Sequence, residues 1–191
     1  MDMRQRIIDL FGLQESDFNK GTWNTRDVQG EAYLALHHAY TSGQKVVTTQ
    51  INTQEELTQL LGIASEDTVQ SVEGSAPSIS APWPTEKNTV PVRELNQQDE
   101  KQLRQALLAT VTGQGYQVSS YREILNKRYF PMQVGVCTGD DIVVQANSPL
   151  VLNPQGHDLL IVNHNSITLE PGAEIQVEGP VAIYVQTFTK Q

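Results

Sequence analysis

The chain is predicted to be an α+β protein, with a helix-rich N-terminal part and a C-terminal antiparallel β-sandwich or roll. Two observations carry this. Segments with apolar residues at helical spacing occur at intervals from the N-terminus to about residue 125, whereas residues 140–187 are made of short β-rich runs separated by Asn, Ser, Pro or Gly. Those runs repeat. Asp141-Ile142-Val143-Val144 and Pro149-Leu150-Val151-Leu152-Asn153-Pro154 are echoed seventeen positions later by Asp158-Leu159-Leu160-Ile161 and Ser166-Ile167-Thr168-Leu169-Glu170-Pro171. A looser copy follows in Glu174-Ile175-Gln176-Val177 and Pro180-Val181-Ala182-Ile183-Tyr184-Val185. Two runs per copy with a turn between them suit strands folded back on one another.

In chain order, Arg4 to Leu13 reads as a short amphipathic helix with Ile7, Ile8, Leu10 and Phe11 on one side, ended by Gly12. Glu31 to Tyr40 reads as a second, bracketed by Gly30 and Gly43, with Tyr33, Leu36 and Tyr40 at helical spacing. Lys45 to Ile51 is β-branched enough to form a strand. Thr53 and Glu56 form a capping box, in which the hydroxyl and the carboxylate satisfy the first backbone N–H groups of a helix ending near Gly62. Between Ser65 and Pro91, Glu, Asp, Ser and Gly dominate and four prolines forbid continuous helix or central strand. This segment reads as a linker anchored by Trp83, which either folds back on its own domain or contacts another subunit. Gln97 to Val111 is a helix with Leu103, Ala106, Leu107 and Val111 in a stripe. Gln117 to Ser119 reads as a brief extended piece, and Ser120 with Glu123 as a second capping box. The expected organisation is therefore a helix-rich module at 1–64, a linker at 65–92, and a helical segment followed by the β module at 93–191.

The balance of 22 acidic against 13 basic residues, formally −9, repels phosphate backbones and anionic lipid, so neither nucleic acid nor a membrane surface is an expected partner. One cysteine, Cys137, excludes an intramolecular disulfide framework. No apolar stretch approaches the roughly 20 residues that span a bilayer, and the N-terminus lacks a signal peptide's apolar core. Synthesis in the cytoplasm is the expectation.

Candidate chemistry is sparse. Adjacent His37 and His38 on a helix would project about 100° apart, too divergent to share a metal. His157, His164 and Glu170 would form a cupin-like metal site only if they converged on one sheet face, and the usual close-spaced His-x-His pair is missing. Gly139-Asp140-Asp141 resembles half of a calcium loop but reads better as a tight turn, with Asp141 and Asp158 starting equivalent strands. Glu170, Glu174 and Glu178 read as a solvated strand face. Cys137, between Val136 and Thr138, reads as a packed thiol. No nucleophile elbow, Walker loop or dinucleotide fingerprint occurs. No catalytic residue, metal or cofactor is expected.

Arg128-Tyr129-Phe130, the strand after it, Gly139-Asp140-Asp141-Ile142-Val143-Val144, Pro149-Leu150-Val151-Leu152 and Asn163-His164-Asn165-Ser166-Ile167-Thr168-Leu169 together resemble small β modules of structural proteins in tailed-phage virions. The resemblance covers about the last 64 residues, carries no diagnostic signature, and implies a subunit that decorates or joins parts of a particle. The leading expectation is a non-enzymatic subunit of a homo-oligomeric or virion-like assembly, its partners being copies of itself and other structural proteins. Trp83, Ile175, Val177, Ile183 and Val185 are the candidate intersubunit contacts. The alternatives are a small-ligand or carbohydrate-binding β module, stacking sugars on Trp83, Tyr121, Tyr129, Phe130 or Tyr184, and the cupin-type enzyme.

Overall fold

A computed structural model describes residues 3–37, 40–61, 81–111 and 115–191. Contacts group the chain into two compact units, Met1–Gln50 together with Met132–Gln191, and Ile51–Pro131. The chain thus leaves the first unit at residue 50 and re-enters it at 132. Most of the expected linker, residues 65–80, lies outside the described residues.

The first unit is built on parallel strands, which makes the protein α/β and overturns the antiparallel sandwich. One sheet runs β1 (Asn19–Asn24), β4 (Met132–Val144), β6 (Leu159–Leu169), β8 (Val181–Lys190), with β3 (Val47–Ile51) also paired to β4. The other runs β2 (Ala32–Ala35), β5 (Leu150–Asn153), β7 (Ile175–Val177). The pairings β1–β4, β2–β5, β4–β6, β5–β7 and β6–β8 are all parallel. Successive chain segments alternate between the sheets, so the backbone is a short two-sided coil in which β4 and β5, then β6 and β7, are rungs. The repeat is a whole turn of that coil. Val134 pairs with Leu159 and Leu150 with Ile175, an offset of 25 residues, and not the seventeen that the sequence echo suggests. Asp141 and Asp158 are not equivalents: Asp141 stands beside Ser166, while Asp158 accepts a bond from the Gln133 N–H.

The physical reason lies in burial. Leu159, Leu160, Ile161 and Val162 are all buried in succession, as are Val134 to Thr138, so over these stretches neither strand has a wet face. Continuous apolar runs of this kind belong to parallel strands covered on both sides. Between the sheets, Leu34, Cys137, Ile142, Val144, Leu150, Leu152, Leu160, Val162 and Ile167 form the core. Register stacks like on like: Trp23, Ile142 and Ile167 make one column, Leu34 and Leu152 another, Cys137 and Val162 a third.

Polar side chains stack in the same way. Asn163 donates to Thr138 Oγ1 at 3.2 Å, Ser166 to Asp141 at 2.7 Å and Gln145 to Glu170 at 3.1 Å, each pair 25 residues apart. At the bend of the long strands, a Cβ on Gly139 would lie 2.5 Å from the Asn19 carbonyl oxygen and 2.8 Å from the His164 ring, so only glycine fits. The helix expected over Glu31 to Tyr40 is absent there; β2 occupies Ala32–Ala35, because its backbone pairs with β5 and register overrides local spacing. Helix α1 (Met3–Leu10), ended at Gly12 with φ +58°, lies against β6 and β8.

Among the described residues, three of the four α-helices belong to the second unit, so helices do not dominate the N-terminal part. These are α2 (Gln54–Leu60), α3 (Gln97–Val111) and α4 (Arg122–Tyr129). Thr53 caps α2 by accepting from the Glu56 N–H at 3.1 Å, while the Glu56 carboxylate reaches one residue further back than expected, to the Asn52 N–H. Residues Gly115–Tyr121 are 3-10 helix in place of the expected extended piece. The Ser120–Glu123 capping box is not formed, since the Ser120 hydroxyl accepts instead from the Trp83 N–H at 3.1 Å.

Ile142 sits in mid-column with no exposure, so Ile142→Ala is expected to cost about 2–5 kcal/mol in urea unfolding. Gly139→Ala is expected to cost about 1–3 kcal/mol by forcing β1 and His164 apart. Wild-type midpoints for both variants would contradict the stacked register.

Candidate functional site

A parallel coil has two ends, and here they differ. At the first rung the free edge of β2 is occupied by its own chain: the Tyr33 N–H donates to Ser42 Oγ at 2.9 Å, the Ser42 N–H returns a bond to the Tyr33 carbonyl at 2.9 Å, and Thr41 Oγ1 donates to the Ala35 carbonyl at 3.0 Å. Lys45 closes on β1 through a pair of bonds with the Asn19 amide, of 2.7 and 3.1 Å. Segment Thr41–Lys45 is therefore a cap, supplying side-chain partners where a further strand would bond.

The last rung has no such cover among the described residues. β8 pairs only with β6, and β7 only with β5. Phe188 continues the column of Ile142 and Ile167 and is 52% exposed, while those two are 0% and 1%. Ile183 continues Cys137 and Val162 and is 39% exposed against their 0%. Val177 continues Leu34 and Leu152, again 0%, and is 55% exposed. Each of these apolar side chains is a core position lacking its next neighbour. β8 carries one charge in ten residues, Lys190, and no proline, so it lacks the devices by which edge strands usually repel pairing.

Of the residues singled out from sequence, Val177 and Ile183 lie on this open rung, whereas Ile175 and Val185 are partly buried against the core. Trp83 is a correction. It is buried in the second unit, packed on Tyr121 with ring centroids 5.5 Å apart, its Nε1–H donating to Asn88 at 3.0 Å, so it is not available to another molecule. Burial of Trp83, Tyr121 and Tyr129 likewise removes three of the five rings on which sugar stacking was to rest. His157 is exposed in the turn before β6, His164 is buried, and Glu170 bonds Gln145, so the proposed metal-binding trio is not assembled. No group of three or more His, Cys, Asp or Glu able to hold a metal occurs among the described residues. His37 is exposed, and His38 lies outside the described residues. Phe188 escaped the sequence reading. It stands 21 residues after Ile167, whereas Asp140-Asp141-Ile142 and Asn165-Ser166-Ile167 are 25 apart, so no single period in the sequence points to it.

A second feature lies inside the coil. Cys137 Sγ is 3.6 Å from His164 Nε2, and Asn19 Nδ2 approaches the sulfur at 3.5 Å while donating to the Thr138 carbonyl at 2.9 Å. Cys, His and Asn suggest a thiol hydrolase, but the geometry does not support one. Cys137 is completely buried, and loss of hydration pushes its thiol up to about 12, the reverse of an activated nucleophile. On the far side of Asn19 an open cleft of about 570 Å³ is lined by Glu15, Phe18, Lys20, Gly43, Gln44 and Lys45. Lys20 is paired there with Glu15 at 2.7 Å, which holds that carboxyl below its usual range.

Comparison with protein-family models, curated proteins and solved structures gave no match. No helix among the described residues is long and apolar enough to cross a membrane.

The native thiol is expected to resist alkylation at pH 8 and to react only after unfolding. Because burial raises the folded pKa, the stabilisation from keeping the thiol neutral is complete below about 9 and is lost as pH climbs from 9 towards 12. Rapid modification of native protein at pH 8 would mean that the thiol is exposed and activated.

Proposed function

We propose that the chain is a non-enzymatic structural subunit of a homo-oligomeric or virion-like assembly, and that its docking surface is the open last rung. The observation that carries this is the termination of three core columns in Phe188, Ile183 and Val177, against a first rung closed by Thr41, Ser42 and Lys45. Coiled repeats remain soluble as single molecules when their terminal repeats present a polar cover. Among the described residues, such a cover is present at the first end and not at the last. Strand addition at the other end supplies backbone bonds to β8 and apolar cover to the three columns together. The buried, protonated thiol is consistent with a scaffold and offers no nucleophile.

A second reading, binding of a small ligand, has one observation in its favour. Gln44 lines the cleft beside Asn19, and its Oε1 is buried without a hydrogen-bond partner, so a ligand with hydroxyl or amine donors would satisfy it. A thermal-shift screen of polyols and amines tests this, a rise in Tm that Gln44→Leu abolishes being the supporting result.

For the leading reading, sedimentation equilibrium at micromolar concentration is expected to give a mass above the 21.2 kDa of one chain. Phe188→Glu places a charge at the end of a half-exposed column; it is expected to return the protein to monomers while leaving its helix and sheet content unchanged by circular dichroism. A wild-type protein that sediments as a monomer throughout overturns the proposal.

A further inference from the structure

Resting on that reading, we propose that assembly through the last rung closes at two copies, with each β8 pairing antiparallel with the partner's β8 about a two-fold axis. The occupant of the open rung is thus a second copy of this chain, presented by the same end.

The argument begins with the asymmetry of the two ends. Head-to-tail stacking would continue the coil by setting the last rung of one copy on the first rung of the next, and would run on into a filament. That route needs free edges on both sheets of the first rung. The edge of β2 is already spent on Thr41 and Ser42, at Tyr33 and Ala35, which closes one of the two sheets to this route. The first rung is also short of apolar surface to offer: Ala32, Leu34 and Ala35 are buried beneath their own cap. Two last rungs, by contrast, each bring a ten-residue strand with one edge free and three uncovered columns among the described residues. Like ends joined face to face are isologous, and such a contact uses up both surfaces and stops.

Charge sets the strand direction. Lys190 is the sole charged residue of β8, at its C-terminal end, and Glu178 precedes the strand by three residues at the other end. An antiparallel pair with its axis at Gln186 or Thr187 sets Lys190 opposite uncharged residues of the partner strand and holds the two lysines about 20–26 Å apart, at roughly 3.3 Å per residue. A parallel pair would set lysine beside lysine, which is unfavourable directly across strands. Between the ends both strands are uncharged, so no buried ionic group opposes the contact.

A two-fold axis through paired antiparallel strands has a signature that head-to-tail stacking lacks: residues near the axis meet themselves. Cysteine is introduced singly at Gln186, Thr187 and, as a control far from the axis, Lys190, with the native thiol of Cys137 shielded by burial. Gln186 and Thr187 are exposed, so these variants are expected to fold, and Tm verifies it. Under mild oxidation, Gln186→Cys or Thr187→Cys is expected to give a disulfide-linked dimer at least tenfold faster than Lys190→Cys, and sedimentation of the wild type is expected to stop at twice the chain mass. Larger species that grow with concentration, without self-crosslinking on β8, would retain assembly but overturn the closed dimer. A dimer that neither crosslinks on β8 nor responds to Phe188→Glu would place the contact elsewhere and overturn it too. Monomers throughout would remove the parent reading itself.

Discussion

The parallel register, offset by 25 residues between β4 and β6 and between β5 and β7 and by 21 between β6 and β8, is the constraint on which the rest of the first unit depends. Once Val134 stands beside Leu159 and Leu150 beside Ile175, every side chain is stacked on its counterpart one turn away, and composition at one rung dictates what the next must carry. Apolar positions become columns that fill the space between the sheets, and polar ones become ladders such as Asp141 with Ser166 and Gln145 with Glu170. The ladders matter because a buried polar group without a partner costs on the order of 1–3 kcal/mol. A single-residue slip would break every ladder and turn the columns to the wrong face together. The register also survives the excursion of the chain through the second unit, since β1 on one side of it and β4 on the other are directly paired.

How much of this could be read beforehand is clearest from particular residues. The Thr53 cap, the Gln97–Val111 helix and the stop at Gly12 are local, decided within one turn of chain, and sequence shows them directly. Strand identity in the last third was legible too, because Ile, Val and Leu cluster there whatever their partners. Direction and period were not. The seventeen-residue echo matched Asp141 to Asp158, which differ in environment, and missed that Asp140-Asp141-Ile142 corresponds to Asn165-Ser166-Ile167. Pairing across 25 residues leaves no mark on local propensity, and an acid in one rung is replaced by an amide or hydroxyl in the next, so the ladder hides its own repeat. The Ala32–Ala35 strand shows the same effect in reverse: alanine and leucine at helical spacing yield to pairing with β5. Of the candidate contacts, Val177 and Ile183 lie exposed near the C-terminus, where an edge is easily left open, while Trp83 is buried against Tyr121, a proline-flanked tryptophan looking the same in sequence whether it docks on its own domain or on a neighbour.

The Cys137, His164 and Asn19 cluster illustrates how burial governs chemistry. The same residue types, opened to water and with the thiol near a positive charge, would make a nucleophile. Here they lie where β1, β4 and β6 bend together, and Gly139 is needed to let the Asn19 backbone and the His164 ring approach. Asn19 acts as a brace: one amide bonds the Thr138 carbonyl, both directions of the Lys45 backbone, and the sulfur. It links the cap of the first rung to the interior of the second. The cluster thus contributes to closing one end of the coil, which is the property that makes the other end conspicuous.

Magnitudes show what the open end requires. Full burial of a large apolar side chain stabilises by about 1.5–3 kcal/mol, so covering the exposed halves of Phe188, Ile183 and Val177 contributes roughly 1 kcal/mol each, or about 6 for two copies. Association costs an estimated 4–15 kcal/mol in lost freedom. Apolar cover alone therefore leaves a contact near balance, and specificity has to come from the backbone bonds that the free edge of a ten-residue strand makes available. Those bonds are directional, and they favour a partner whose own edge is equally long, straight and uncharged. Among the surfaces this molecule presents, the first rung fails that requirement because its edge is occupied, and a second β8 meets it. The same uncharged edge that permits dimerisation would also permit uncontrolled strand addition, and a two-fold contact resolves both at once by consuming the edge on each copy.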